Sequence, residues 1–167
     1  MMTSDIVLNH QQIKDKIKRL AWQIYENNMD ARFIWVAGID DRGNFLAGLI
    51  SDELKKICDK EIKSLHLVID RLNYEPSFFS EFDLSELKDS DVVLVDDVLN
   101  TGKTICGAML PLFRRQVAKL QLAVLASRNH RLYPVQPDFV GISMATTLQE
   151  HLRFDMSDVD NLSLSLT

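Results

Sequence analysis

The sequence predicts an α/β fold with a mostly parallel central sheet flanked by helices, and two kinds of segment predict it. Short apolar runs, several of them rich in β-branched residues, are typical of strands that are buried on both faces. Longer segments, in which apolar residues recur every three or four positions, indicate amphipathic helices between those strands. Alternation of the two requires a sheet with helices packed on it. The strand-like runs are residues 33–37, 63–69, 92–95, 120–126, 137–142 and 151–154, and the helical segments are residues 9–28, about 44–58 and 105–114.

Length and composition limit the class of protein. A chain of 167 residues that is 46% hydrophobic can bury one good core, so we expect a single domain over residues 1–167. No apolar run approaches the ~20 residues of a membrane helix, and residues 1–10 lack the apolar core of a signal peptide. We therefore expect a soluble, cytoplasmic protein. The net charge of −5 excludes a generally basic RNA-binding surface but leaves room for a local basic patch.

The most informative stretch is residues 92–104, where a buried strand is followed at once by reactive side chains. Asp96 and Asp97 come directly after the apolar run, and burying either one unpaired would cost roughly several kcal/mol, so they must face a crevice. Val98 and Leu99 then lead into a loop that offers a turn former, a glycine and two hydroxyl groups before the next helix; it consists of Asn100, Thr101, Gly102, Lys103 and Thr104. Free N–H groups and the helix dipole make such a loop a cradle for a phosphate monoester. The acidic pair then lies beside the cradle, placed for a sugar diol or for waters bound to Mg²⁺.

This run closely resembles the phosphoribosyl-pyrophosphate (PRPP) motif of type I phosphoribosyltransferases. Beyond the motif, from Ile6 to about Phe154, the chain resembles the PyrR family of pyrimidine operon attenuation regulators with uracil phosphoribosyltransferase activity. The resemblance implies the type I phosphoribosyltransferase fold, with a small hood built from the chain termini. It implies transfer of the 5-phosphoribosyl group of PRPP to a nucleobase, first of all uracil, with release of pyrophosphate, Mg²⁺ as cofactor and a place in nucleotide salvage. Asp96 and Asp97 would then grip the ribose hydroxyls, directly or through Mg²⁺.

The resemblance identifies residues 39–43 with the pyrophosphate loop of these enzymes. Arg42 would neutralise the leaving diphosphate with a planar charged fork, and Gly43 would let the backbone come close. Asp40 and Asp41 stand where the attenuation regulators usually carry Lys and Thr. Carboxylates repel a diphosphate unless Mg²⁺ lies between, so this change either weakens PRPP binding or strengthens its dependence on the metal. A surface ion pair of Arg42 with Asp40 or Asp41 is the alternative interpretation.

Residues 70–91 show no periodicity, which predicts a long loop. The resemblance identifies this segment with the flexible loop that closes over bound PRPP and excludes water. Arg71 falls where the family carries an arginine and would be the second cation for the diphosphate. The neighbouring Asp70, Leu72 and Asn73 differ from the family pattern, and the segment is shorter.

The nucleobase is the least determined ligand. After the apolar run 120–126, Arg128, His130 and Arg131 follow the carboxyl end of a strand, where they suit phosphate, a base or RNA; His130 alone would more often be structural. The resemblance places the base against residues 137–142, with Val140 among its contacts through backbone groups. Hypoxanthine and guanine stay open as alternative bases.

A basic face on the first helical segment raises a second function. The face opposite the apolar stripe carries Lys14, Lys16, Lys18 and Arg19. Such faces are usually only solvated. The resemblance implies RNA contact there, with Arg19 matching the family, whereas Lys18 and Trp22 replace its Thr and His. A regulator that senses PRPP and binds RNA with little catalysis is therefore the second hypothesis. A homodimer or higher homo-oligomer is also expected from the resemblance.

Overall fold

A six-stranded sheet forms the centre of the molecule. The computed structural model describes residues 5–167, so the part of the single-domain prediction that concerns residues 1–4 lies outside the described residues. The elements are β1 (Asp5–Leu8), α1 (His10–Asn27), β2 (Phe33–Ile39), α2 (Asp40–Ile57), β3 (Glu61–Ile69), β4 (Pro76–Phe79), a 3₁₀ helix (Leu84–Leu87), β5 (Asp91–Leu99), α3 (Lys103–Arg114), β6 (Lys119–Arg128), β7 (Phe139–Met144), β8 (Leu152–Asp155) and β9 (Ser163–Leu166). The strand order is β4-β3-β2-β5-β6-β7. The pairs among β3, β2, β5, β6 and β7 are parallel, and β4 pairs antiparallel with β3. The predicted α/β class with a mostly parallel sheet is confirmed.

Two apolar cores cover the two faces of this sheet, which explains the long apolar runs in the central strands β2 and β5. On one face α1 and α2 pack with residues such as Ile17 and Ile50 against Val93 and Val95 of β5. On the other face α3 packs Ile105 against Leu94 and its neighbours. The sheet edge at the carboxyl ends of the parallel strands is left open between these layers.

The two ends of the chain form a second, antiparallel sheet in the order β1-β9-β8. It joins the first core through Phe154 and Leu164, which are almost fully buried. The hood that the resemblance implied is therefore present. Strand β9 is anchored at the end of the chain by the buried side chain of Leu164.

Helix α1 shows how local sequence sets a boundary. Asn9 accepts a hydrogen bond from the Gln12 amide at 3.0 Å, and the Gln12 side chain accepts one from the Asn9 amide at 2.9 Å. This reciprocal capping box satisfies two of the N–H groups that a helix start leaves open. The predicted range 9–28 consists of the helix and its two caps.

Three predicted boundaries are wrong. Residues 39–43 do not form a loop, because α2 begins at Asp40 directly after β2. Residues 70–91 are not one long loop either, because β4 pairs with β3 from His66 opposite Phe79 to Ile69 opposite Pro76. A proline can begin this edge strand because its missing N–H is not needed there. Strand β5 continues through the acidic pair to Leu99, so both carboxylates lie within the strand.

None of the helices formed by residues 5–167 combines the length and apolar content that crossing a bilayer requires.

Candidate active site

Two adjoining depressions lie at the carboxyl ends of the parallel strands, where open α/β sheets bind ligands. The smaller one, of about 50 Å³, is enclosed by Asp96 and residues 98–105. The larger one, of about 350 Å³, extends from it towards the start of α2. Asp96, Val98, Asn100 and Thr104 line both depressions. The larger one is completed by Ile39, Asp40, Asp41, Arg42, Arg71 and Asp97. The structure thus brings together the acidic pair, the predicted phosphate cradle of residues 98–104, the start of α2 and Arg71. The sequence predicted this grouping.

Residues 98–104, which the sequence predicts to cradle a phosphate and which we call the phosphate loop, turn sharply at Gly102. This residue has φ of +88° and is the N-cap of α3, a conformation that glycine adopts without strain. The Thr101 carbonyl accepts hydrogen bonds from the amides of Leu132 at 2.9 Å and Tyr133 at 3.1 Å, which support the loop from behind. The N-cap Gly102 has no side chain to cap α3. Among residues 5–167, the side-chain acceptor at this helix start is Thr101 Oγ1, which accepts a hydrogen bond from the Lys103 amide at 3.3 Å. The other first-turn N–H groups are open to an anion.

Lys103 extends its side chain towards Tyr74. Its side chain is exposed, and its Nζ lies 4.5 Å from the ring centroid of Tyr74, in the turn between β3 and β4. Tyr74 has φ of +58°. A Cβ on Gly107 would come within 2.8 Å of the Tyr74 carbonyl oxygen, so only glycine lets the turn lie this close to α3. A glycine inside a helical pattern signals such a close approach. This contact was not predicted.

The two carboxylates of β5 differ in their surroundings. Both are partly buried, and Asp96 Oδ1 accepts a hydrogen bond from the Asp97 amide at 2.9 Å. Burial raises the pKa of Asp96 well above its ordinary value, and the negative charges of Asp97 and, to a smaller extent, Asp40 raise it further. A cation or a hydrogen-bond donor placed beside this pair would therefore be bound favourably.

Gly43 is buried against β5. A Cβ at this position would lie 2.7 Å from the Val95 carbonyl oxygen and 3.3 Å from Asp96 Oδ1. The absence of a side chain therefore lets the first turn of α2 pack on the strand that carries the acidic pair.

Asp40 is the centre of a contact set that connects three elements. Its Oδ1 accepts a hydrogen bond from the Ile69 amide at 2.9 Å, and its carboxylate forms an ion pair with Arg71. Arg71 Nη1 in turn donates to Thr104 Oγ1 at 2.7 Å. Of the two alternatives for this turn, the surface pair with Arg42 is not formed by Asp40, whose partner is Arg71. Arg42 is exposed and lines the larger depression.

Arg128 lies within β6 and is only 5% exposed, so it is not in the predicted loop. Its guanidinium donates to Thr146 Oγ1 at 2.8 Å, to Asn100 Oδ1 at 3.0 Å and to the Thr147 carbonyl at 3.0 Å. His130 Nε2 also contacts the Thr146 carbonyl. The two side chains thus hold the segment after β7 against the phosphate loop. Arg131 is exposed and donates to the Val135 carbonyl at 3.0 Å.

Val140 and Arg19 meet at the outer edge of the sheet. In the strand register Asp96 pairs with Val124, which pairs with Val140, so Val140 lies two strand spacings, about 10 Å, from Asp96. Arg19 donates to the carbonyls of Val140 at 3.1 Å and Gly141 at 2.8 Å. Arg19 therefore binds the free edge of β7, whereas Lys14 is exposed to solvent.

Comparison with known proteins finds similarity over nearly the whole chain. The family described as phosphoribosyl transferase domain matches residues 3–153. The bifunctional protein PyrR of Streptococcus pneumoniae (strain CGSP14) is 34% identical over 166 residues, which cover 96% of this chain and 94% of the relative. The hypoxanthine phosphoribosyltransferase of Trypanosoma cruzi has a TM-score of 0.76 at 14% identity, over 96% of this chain and 95% of that one. A hypoxanthine-guanine phosphoribosyltransferase from Bacillus anthracis str. 'Ames Ancestor' has a TM-score of 0.69 at 18% identity, over 84% and 82% of the two chains. The two structures share the fold, and the predicted family resemblance is confirmed.

Proposed function

The chain belongs to the phosphoribosyltransferase family, and within it to the PyrR family, and on this premise we propose that it transfers the 5-phosphoribosyl group of PRPP to uracil. One observation carries the proposal. The open helix start at Gly102 lies beside Asp96 and Asp97, around two adjoining depressions. A phosphate cradle and two ribose-binding carboxylates are thereby available to one sugar phosphate.

The small depression is the proposed 5-phosphate site. Thr101 and Thr104 offer hydroxyl donors, and the amides at the start of α3 point to the anion. Lys103 adds positive charge to this end of the helix rather than a direct contact, since its ammonium group lies over Tyr74. The larger depression would take the ribose and the diphosphate.

The diphosphate end is proposed to lie along the first turn of α2. Arg42 and Arg71 line the larger depression there and would bind the leaving group with charged donors. Asp41, Gly43 and their amides would be the remaining contacts. Because carboxylates at this turn repel a diphosphate, binding there depends on the arginines and on a metal.

The reaction forms one bond from a ring nitrogen of the base to the anomeric carbon. It breaks the bond from that carbon to diphosphate, whose oxygen keeps the electron pair, and the proton of the base nitrogen goes to solvent. Positive charge develops on the ribose as the leaving group departs. Asp96 or Asp97 would stabilise that charge, so no nucleophilic side chain is required.

Mg²⁺ is the proposed cofactor. Among residues 5–167, no three His, Cys, Asp or Glu side chains lie together as a metal cage. Mg²⁺ usually keeps several waters and takes one or two carboxylates plus phosphate oxygens. Asp96 and Asp97 together provide this number of carboxylate ligands. When bound, the metal would supply positive charge for the diphosphate.

The base is proposed to bind beyond the carboxyl end of β6. Val140 lies two strands from Asp96, and Arg128 and His130 shape the adjoining segment through Thr146. Their donors are engaged by the protein, so their contribution would be to position backbone groups of residues 144–147. Backbone recognition fits either a pyrimidine or a purine, which makes base identity a matter for assay.

The test is release of pyrophosphate from PRPP in the presence of Mg²⁺, with uracil, hypoxanthine and guanine offered one at a time. Calorimetric titration with PRPP alone runs beside it. We expect turnover with uracil. Turnover with a purine only would mean that the base substrate is hypoxanthine or guanine and not uracil. PRPP binding without turnover would favour the regulator that senses PRPP with little catalysis. Absence of PRPP binding would overturn the proposal.

RNA binding is a second candidate function, because the relative with 34% identity is named bifunctional. Lys14 and Lys18 on α1 are exposed and suit phosphate contacts. We expect Lys14→Glu with Lys18→Glu to weaken RNA binding and leave turnover unchanged, compared with the exposed pair Lys55 and Lys88 changed in the same way. Arg19 is left intact in this test because it binds the edge of β7. Equal RNA affinity of the two variants would remove α1 from the candidate surface. Light scattering tests the homo-oligomer that the family resemblance implies.

A further inference from the structure

We propose that Asp40 is a positioning residue for the 5-phosphate site, and that it acts through Arg71 on the hydroxyl group of Thr104. This inference rests on the proposed function, since it assigns Asp40 a part in binding PRPP. In a chain of the PyrR family, the acidic Asp40 would otherwise only repel the diphosphate.

Asp40 is held in an unusual conformation. Its φ is +50°, in the left-handed region that Asp tolerates better than most residues. Its Oδ1 accepts the Ile69 amide, and its carbonyl oxygen lies 3.1 Å from Nε2 of His66. Backbone strain of this kind persists where the surroundings fix the residue. The carboxylate is therefore a fixed point at the mouth of the depression.

Arg71 needs such a fixed point. Its side chain is 57% exposed, so without a partner it would sample many rotamers. The ion pair with Asp40 holds its guanidinium where Nη1 donates to Thr104 Oγ1 at 2.7 Å. The turn that carries Arg71 is itself anchored on α3 by Tyr74 packed over Gly107. Both ends of the Arg71 side chain are thus constrained.

The direction of the Arg71 hydrogen bond determines where the Thr104 proton can go. A guanidinium has donors only, so Thr104 Oγ1 must be the acceptor. Its own proton then points to another acceptor, and Thr104 lines the small depression proposed for the 5-phosphate. Asp40 and Arg71 together therefore present Thr104 as a donor to the phosphate. The same ion pair compensates the charge of Asp40 beside the diphosphate.

Asp41 provides a matched control. It carries the same charge one residue later, lines the same larger depression and is exposed. Among residues 5–167, the ion pair at this turn is made by Asp40 and not by Asp41. Asp40→Asn and Asp41→Asn therefore remove equal charge but differ in their effect on Arg71.

The experiment measures competition of ribose 5-phosphate and of pyrophosphate against PRPP for the wild type and both variants. We expect Asp40→Asn to weaken ribose 5-phosphate about 10-fold, the range for losing one charge-assisted hydrogen bond. Pyrophosphate should bind equally well or more tightly, since a negative charge has been removed and Arg71, released from its ion pair with Asp40, can turn to the diphosphate. Asp41→Asn, at a proposed diphosphate contact, should alter pyrophosphate affinity and should weaken ribose 5-phosphate less than Asp40→Asn does. Asp40→Asn should also raise the KM for PRPP more than it lowers kcat.

Further variants distinguish positioning from loss of structure. Loss of structure in Asp40→Asn would weaken both ligands, whereas positioning weakens only ribose 5-phosphate. If Asp40→Asn does not fold, the exposed Arg71→Gln is measured instead, and it should weaken ribose 5-phosphate in the wild type but have no effect in a Thr104→Val background. Equal ribose 5-phosphate affinities of Asp40→Asn and Asp41→Asn, or an unchanged Arg71→Gln, would overturn the inference. Failure of the wild type to bind PRPP would overturn the proposed function as well, so the two failures are distinguishable.

Discussion

The two adjoining depressions form one cleft, with the start of α3 on one side and the start of α2 on the other. These two sides have the same architecture and opposite electrostatics. Both begin at the end of a parallel strand and continue into a helix, α3 after β5 and α2 after β2. On the α3 side Gly102 turns the chain with φ of +88° and provides no side-chain cap, so the first-turn amides after Lys103 are open. On the α2 side Asp40 and Asp41 occupy the first turn, so carboxylates already satisfy the positive end of the helix dipole. One junction is ready for an anion, and the other requires cations first.

Arg42 lies in the first turn of α2 itself, and a second cation for this side comes from a distant part of the sequence. Arg71 reaches Asp40 from the turn after β3 and continues to Thr104 on the α3 side. The two junctions are therefore connected through one guanidinium. A strand-helix junction binds phosphate or repels it according to a few first-turn side chains and their partners, not according to the fold.

The largest expected effect is at the acidic pair, which serves both sides of the cleft. Asp96→Asn with Asp97→Asn should lower turnover by about 10²- to 10³-fold or more, the range for removing preorganised charge from a transition state. Pyrophosphate release measures it. Cooperative thermal unfolding and a circular dichroism spectrum like that of the wild type serve as the control, because they show that the double variant is folded. Full activity in a folded double variant would show that the site lies elsewhere.

The α3 side was predictable from sequence because its parts are contiguous. Asp96 to Thr104 lie within nine consecutive positions, so strand, turn and helix start are visible as one pattern. The parallel strands and α1 were predictable for the same reason, since periodicity and capping are local.

The α2 side was not predictable, because its decisive contacts are between distant residues. Arg71 is 31 positions from Asp40 and 33 from Thr104. Strand β4 has four residues at a sheet edge, where pairing with β3 rather than intrinsic preference decides the conformation. Arg128 looked like a loop residue, and only the pairing of β6 to β7 shows that it is buried.

Gly43 and Gly48 of α2 allow the effect of packing against β5 to be separated from the effect of helix propensity on the α2 side. Gly43→Ala should destabilise the protein by about 1–3 kcal/mol, as overpacking does, because its Cβ would lie 2.7 Å from the Val95 carbonyl. Gly48→Ala, in the same helix, meets no described atom within 4 Å and should stabilise by about 0.5–1 kcal/mol. Urea unfolding measures both. Equal shifts of the two variants would contradict the packing role of Gly43.

The raised pKa of Asp96 predicts a pH dependence of stability. Because the folded protein holds this proton more tightly than the unfolded chain, stability contributed by Asp96 falls as pH rises from its ordinary value of 3.8 through the folded-state pKa. Asp96→Asn removes this dependence and should gain stability relative to the wild type at neutral pH. Urea unfolding from about pH 4 to about pH 8 measures the difference. Asp83, Glu150 and Asp155, whose pKa values are lowered, affect both proteins equally and cancel. Parallel stability curves would contradict the prediction.

The smallest expected effect concerns Lys103, which distinguishes backbone from side-chain binding on the α3 side. If the phosphate is held by amides and hydroxyls, the ammonium group over Tyr74 contributes chiefly by steadying the turn that carries Arg71. An exposed cation–π contact is worth about 0.5–1 kcal/mol, so Lys103→Gln should weaken PRPP about 2- to 5-fold. Lys88→Gln, an exposed lysine after the 3₁₀ helix, controls for net charge. Calorimetry measures both variants. A loss of 100-fold or more for Lys103→Gln would mean that the ammonium group itself binds phosphate. The α3 side would then bind its anion through a charged side chain, as the α2 side does, and the contrast between the two sides would be wrong.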